Sequence, residues 1–175
     1  MIIRNHIIYM IGFMGCGKTT IGRELALRLK WSFVDLDKMV EEHAGKTIPE
    51  IFSQNGEECF REIETKVLEN LKSVKNTIVS TGGGTPCHDE NMEFMLGTGL
   101  TVYLKLTPDE LESRLSESRG GRPLIIDLDK GNLKVFIEKK LAEREKWYER
   151  SEIIIGGINP DIDQIVRLVR FKLNL

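Results

Sequence analysis

Gly12-Phe13-Met14-Gly15-Cys16-Gly17-Lys18-Thr19 follows an apolar run that ends at Ile11 and opens an amphipathic stretch, Lys18–Leu29. The octet fits G-x-x-x-x-G-K-[ST], and a strand before it with a helix after it is the context in which that pattern cradles phosphate. Gly12, Gly15 and Gly17 let the loop curl so that its N–H groups converge on phosphate oxygens, and the helix N-terminus adds partial positive charge. Lys18 is then the residue to reach the β and γ phosphates, and the Thr19 hydroxyl the one to ligate Mg²⁺. Cys16 reads as a small space-filling residue.

Working outward, short β-branched runs alternate with longer amphipathic stretches, as in βαβ units around a parallel sheet. The strand candidates are His6–Ile11, Ser32–Val34, Thr77–Ser80, Leu100–Leu104 and Glu152–Ile155. Helical patterns cover Lys18–Leu29, Leu36–His43, Glu57–Leu71, Pro108–Ser116, Leu133–Arg150 and Asp161–Leu173. The strands are mostly apolar, as strands covered by helices on both faces should be. At 175 residues, with 41% hydrophobic and 30% charged, the chain is expected to form one domain, 1–175.

Lys and Arg total 25 against 27 Asp and Glu, a net charge of −2, which gives no global electrostatic case for nucleic acid or a membrane surface. No apolar run approaches the roughly 18 residues of a membrane span. Cys16, Cys59 and Cys87 include no C-x-x-C pair, so neither a disulfide framework nor a zinc site is indicated, and a cytoplasmic setting is expected.

Asp35-Leu36-Asp37 stands at the end of the second strand, where alternation would send both carboxylates to the same side. Asp35 is a candidate partner of the Mg²⁺ held by Thr19, and Asp37 a candidate to accept a proton from an attacking hydroxyl. Helix N-capping is the alternative for either. Arg144 falls on the apolar stripe Leu133, Ile137, Leu141, Tyr148, and Arg61 follows Phe60; each is a candidate anion ligand. Each can also be a structural ion pair with Glu57, Glu58, Glu62, Glu143 or Glu145. Thr81-Gly82-Gly83-Gly84-Thr85-Pro86 allows backbone to approach a ligand closely. Ser116–Arg122 suits a mobile lid on which Arg122, or Arg119, would meet the γ-phosphate.

Taken together, the set resembles the shikimate kinases from Ile7 to about Leu168. The matching residues are Gly12 through Thr20, Asp35-Leu36-Asp37, Phe60-Arg61-Glu62-Ile63-Glu64, Ser80 through Gly84, Arg122-Pro123-Leu124, and Arg144 with Tyr148. The resemblance implies a three-layer α/β/α fold with a five-stranded parallel sheet in the order 2-3-1-4-5 and a lid over about 116–127. It implies transfer of the ATP γ-phosphoryl group to the 3-hydroxyl of shikimate, with Mg²⁺; a monomer is the simplest expectation for the chain. Lys18, Asp37 and Arg122 would be catalytic, with Thr19 and Asp35 on the metal. Asp37, Phe52, Phe60, Arg61, Gly82, Gly83, Gly84 and Arg144 would bind shikimate. Gly12, Gly15, Cys16, Gly17, Lys18, Thr19, Thr20, Arg114, Arg122, Asn159 and Pro160 would bind ATP. A gluconate or nucleotide kinase is the nearest rival, and a nucleotide-binding module without catalysis is the rival from another class.

Overall fold

In the computed structural model the described residues are 6–88, 90–117 and 130–175. The expected lid lies outside them from residue 118 on, Arg119 and Arg122 included. Five parallel strands, β1 (Ile7–Ile11), β2 (Ser32–Asp35), β3 (Thr77–Ser80), β4 (Leu100–Lys105) and β5 (Ile153–Gly156), form a sheet in the order β2-β3-β1-β4-β5. The helices are α1 (Lys18–Leu29), α2 (Leu36–Ala44), α3 (Ile48–Asn70), α4 (Asn91–Thr98), α5 (Pro108–Glu117), α6 (Lys130–Tyr148) and α7 (Ile162–Leu173).

Register explains how one central strand is buried on both sides. Ile8 pairs with Ile78 and Leu100, and Met10 with Ser80 and Val102, so these side chains share a face. Gly22 of α1 lies against Phe33, Met10 and Ile78 on it. The opposite face carries Tyr9, whose hydroxyl bonds Thr98 of α4 at 2.9 Å, and Tyr103, whose ring lies 5.2 Å from Tyr148 of α6. Every residue of β1 is buried, so the strand is apolar throughout instead of alternating. Because β1 leads to a helix on one face and the adjacent β3 to a helix on the other, a crevice opens at their carboxyl ends.

Three expectations are corrected. The helix expected from Glu57 begins at Ile48, and it is broken at Gly56, whose φ of 85° is non-helical. Its start is fixed by a capping box, Thr47 accepting from the Glu50 N–H while the Glu50 carboxylate accepts from the Thr47 N–H at 2.7 Å, a T-x-x-E signature legible in the sequence. Asn91–Thr98, expected as no element, is α4; at eight residues, with the polar Asn91 buried beside Met92 and Met95, it shows no clear amphipathic period. Asp35 ends β2 and Asp37 lies inside α2, so strand alternation does not bring the two carboxylates together; the turn into the helix does.

Candidate active site

The loop from Gly12 to Gly17 joins β1 to α1. Gly17 is the N-cap of α1 at φ 101°, with no side-chain cap and no acidic residue in the first turn. The helix therefore presents its first N–H groups uncapped by any side chain, a favourable seat for an anion. Lys18 folds back over the loop, its ammonium donating to the carbonyls of Gly12 at 2.8 Å and Phe13 at 2.9 Å. The Cys16 thiol is buried 3.8 Å from the Lys18 Nζ and 2.8 Å from where a Cβ on Gly12 would stand, so it fills the inside of the loop.

Thr19, on the first turn of α1, donates to Asp35 Oδ2 at 3.0 Å and shares a hydrogen bond with Ser80 Oγ at 3.1 Å. Asp35 occupies the N-cap position of α2, yet its carboxylate makes no capping bond. Ser80 pairs in register with both Asp35 and Met10, which puts a hydroxyl, a carboxylate and a second hydroxyl side by side at the strand ends. These hard oxygen donors fit Mg²⁺. One carboxylate beside two hydroxyls is a sparse set, of the kind that waters and nucleotide phosphates complete around Mg²⁺.

Asp37, half-buried on α2, has its carboxyl pushed up to about 6, first by burial, then by the Glu64 and Asp35 carboxylates, against the opposing pull of Lys18 and Arg61. Glu64 is fully buried; it accepts from Arg61 at 2.8 Å and from the Thr85 hydroxyl at 2.5 Å. Arg61 also pairs with Glu57 at 3.1 Å. The ion-pair alternative for Arg61 is thus realised at both terminal nitrogens, Nη2 with the expected Glu57 and Nη1 with Glu64, which is not among the five glutamates named from the sequence. Arg144 is different: it pairs with no carboxylate among the described residues, and lies over the Phe13 ring at 5.7 Å.

None of Gly82, Gly83 and Gly84 has positive φ; what requires glycine is close approach. A Cβ on Gly82 would stand 2.8 Å from Glu64 Oε1 and 3.0 Å from Asp37 Oδ1, one on Gly83 3.4 Å from Arg144 Nη1, and one on Gly84 2.5 Å from Arg61 Nη2. The three positions therefore clear space for the two carboxylates and both arginines. Phe52 and Phe60 pack together on α3, ring centroids 4.8 Å apart, and Arg61 lies over the Phe60 ring at 4.9 Å.

On the other side of the loop, Thr20, Arg114, Asn159 and Pro160 line one cleft of about 250 Å³. Arg114 ties its two sides together, donating to the Cys16 carbonyl at 3.1 Å and to the Ile158 carbonyl. Gly17 lacks the Cβ that would stand 2.9 Å from the Arg114 Nη1. Ser80, Thr85 and Tyr148, which bond Thr19, Glu64 and Gly83, support the metal and acceptor sides of the site. In the sequence Ser80 and Tyr148 match the family without a role, and for Thr85 its place beside the glycine run is the available signal.

A phosphate loop at the head of a 2-3-1-4-5 sheet, facing a carboxylate whose proton affinity is raised, defines a P-loop kinase. The shikimate kinase family model matches residues 14–170. A shikimate kinase of Azobacteroides pseudotrichonymphae is 45% identical over 84% of this chain and 87% of its own. The chain belongs to the shikimate kinase family. A crystal structure of shikimate kinase from Bacteroides thetaiotaomicron superimposes with a TM-score of 0.90 at 36% identity, covering 98% of this chain and all of its own. Shikimate kinase from Acinetobacter baumannii, solved in complex with shikimate, gives 0.86 at 32% identity over 98% of this chain and 95% of its own.

Proposed function

We propose that the protein transfers the γ-phosphoryl group of ATP to the 3-hydroxyl of shikimate, giving 3-phosphoshikimate and ADP. The observation that carries this reading is the convergence on Gly82–Gly84 of Asp37 and two guanidinium groups, Arg61 and Arg144. A carboxylate beside two arginines suits an acceptor that is both an anion and an alcohol: the arginines take its carboxylate, and Asp37 takes a hydroxyl proton. Gluconate also carries a carboxylate and hydroxyls, so the choice between the two rests on the family. Phe52 and Phe60 would cover the ring.

ATP would lie across the phosphate loop with its base in the cleft lined by Thr20, Arg114, Asn159 and Pro160. Lys18 would exchange its bonds to the Gly12 and Phe13 carbonyls for phosphate oxygens. Thr19 and Asp35 would hold Mg²⁺, with Ser80 orienting Thr19; the ion would neutralise charge between the β and γ phosphates. Asp37 would accept the proton of the 3-hydroxyl as its oxygen bonds to phosphorus and ADP leaves. Burial that raises the proton affinity of Asp37 makes it a better base than an exposed aspartate. Arg122 is proposed for the γ-phosphate on the resemblance alone. Among the described residues no helix is long and apolar enough to cross a membrane, and we take the chain to act as a one-domain monomer in the cytoplasm.

ADP release measured with shikimate, gluconate, nucleoside monophosphates and no acceptor tests the reading. Shikimate is expected to accelerate release well above the acceptor-free rate, and the others are not. Release that gluconate or a nucleoside monophosphate drives better, or that no acceptor changes, would overturn it.

A further inference from the structure

Arg144 and Tyr148 lie one turn apart on α6, so their side chains share a face of the helix. Tyr148 is fully buried. Its hydroxyl donates to the Gly83 carbonyl at 2.5 Å, and Arg144, one turn back on the same face, acts electrostatically on the same oxygen. The ring is fixed from behind by Tyr103. The hydroxyl's single proton is thereby committed to Gly83, which leaves its oxygen to face the guanidinium. Burial holds the phenol well above its ordinary value, so the proton stays in place at any working pH.

Arg144 needs such a fixture. Arg61 is oriented by two carboxylates, Glu57 and Glu64, whereas Arg144 pairs with none among the described residues. A buried carboxylate beside Arg144 would compete with an anionic ligand for its fork. A phenol oxygen orients the group without placing a carboxylate on its fork. The Gly83 bond has a second effect. Because the peptide is planar and trans, fixing the Gly83 carbonyl toward Tyr148 turns the N–H of Gly84 the opposite way.

We infer that Tyr148 is a positioning residue for the acceptor carboxylate, its hydroxyl setting the orientation of Arg144 and of the Gly83–Gly84 peptide together. The inference rests on the shikimate-phosphorylating reading above. Tyr148→Phe removes only the hydroxyl. The KM for shikimate is expected to rise about tenfold or more, with kcat within about twofold and the KM for ATP unchanged.

Tyr103→Phe is the control. Its hydroxyl is buried in the same ring pair but makes no hydrogen bond, so its loss reports packing alone and is expected to leave the shikimate KM unchanged. In an Arg144→Ala background, adding Tyr148→Phe should cost clearly less in shikimate KM than it does in the wild-type chain, because only the Gly83–Gly84 peptide is left to orient. Equal effects of the two tyrosine substitutions, an unchanged KM in Tyr148→Phe, or additivity with Arg144→Ala would each overturn the inference.

Should Tyr148→Phe fail to fold, the chain has only three tyrosines, and 3-fluorotyrosine labelling reports on the intact protein. The ¹⁹F resonance that survives both Tyr9→Phe and Tyr103→Phe is expected to shift on adding shikimate, and not to shift when Arg144→Ala is also present. No shift with the wild-type residue at 144 would overturn the inference as well. Absence of shikimate-dependent ADP release by the wild-type chain would count against the parent reading instead, so the two failures are distinguishable.

Discussion

Burial and the neighbouring carboxylates of Glu64 and Asp35 hold the Asp37 carboxyl at about 6, from an ordinary value of 3.8. Between those two values the folded chain retains a proton that the unfolded chain has released. Native stability therefore falls as pH rises through that window. Above pH 6 the ionised group costs at most about 3 kcal/mol, the difference of roughly two units taken at about 1.4 kcal/mol each, and less to the extent that water reaches it. Asp37→Asn should accordingly raise the melting temperature at pH 8 and change it little at pH 4, while phosphoryl transfer falls by about 10²-fold or more and ATP binding is retained. Thermal denaturation at the two pH values checks the first part, and an unchanged melting temperature at pH 8 would show that the carboxylate carries no such cost. Transfer by the wild-type chain is expected to decline on the acid side below about pH 6, as Asp37 takes up the proton it must be free to accept.

The glycine run behaves as a single element whose function is clearance. Gly84 has φ −92° and ψ −16°, ordinary values for alanine, so Gly84→Ala leaves the backbone unstrained and acts on Arg61 alone, which a Cβ would meet at 2.5 Å and 2.7 Å. The expected outcome is a shikimate KM raised about tenfold, the loss of one charge-assisted hydrogen bond, together with a lower melting temperature, because the displaced guanidinium also pairs with the buried Glu64; KM values for both substrates and a thermal melt check it. The phosphate loop, its strand and its helix were legible because a local motif coincides with the change in hydrophobic period at Gly12. The start of α3 was equally local, in Thr47-Ile48-Pro49-Glu50, and was passed over because Gly56 interrupts the helical pattern. The site's supporting groups are another matter. Ser80 and Thr85 bond to Thr19 and Glu64 across 61 and 21 residues, and only strand register and the packing of α3 against the loop bring them together.

At the scale of the molecule, a net charge of −2 says nothing of function because the working charges are local. Lys18, Arg61 and Arg144 gather about the crevice where β1 and β3 send their helices to opposite faces, and Arg114 stands at its far side. The metal is expected to bind together with the nucleotide, since Thr19, Asp35 and Ser80 bring only one carboxylate to it. Chelation with EDTA should therefore abolish transfer while leaving the melting temperature of the protein alone unchanged; a large drop in melting temperature would indicate a structural ion. The central claim is tested most directly by the product. With ATP, Mg²⁺ and shikimate, ³¹P NMR should show a phosphomonoester coupled to the proton on ring carbon 3, growing in step with ADP. Inorganic phosphate appearing in step with ADP, or an ester on another hydroxyl, would contradict it.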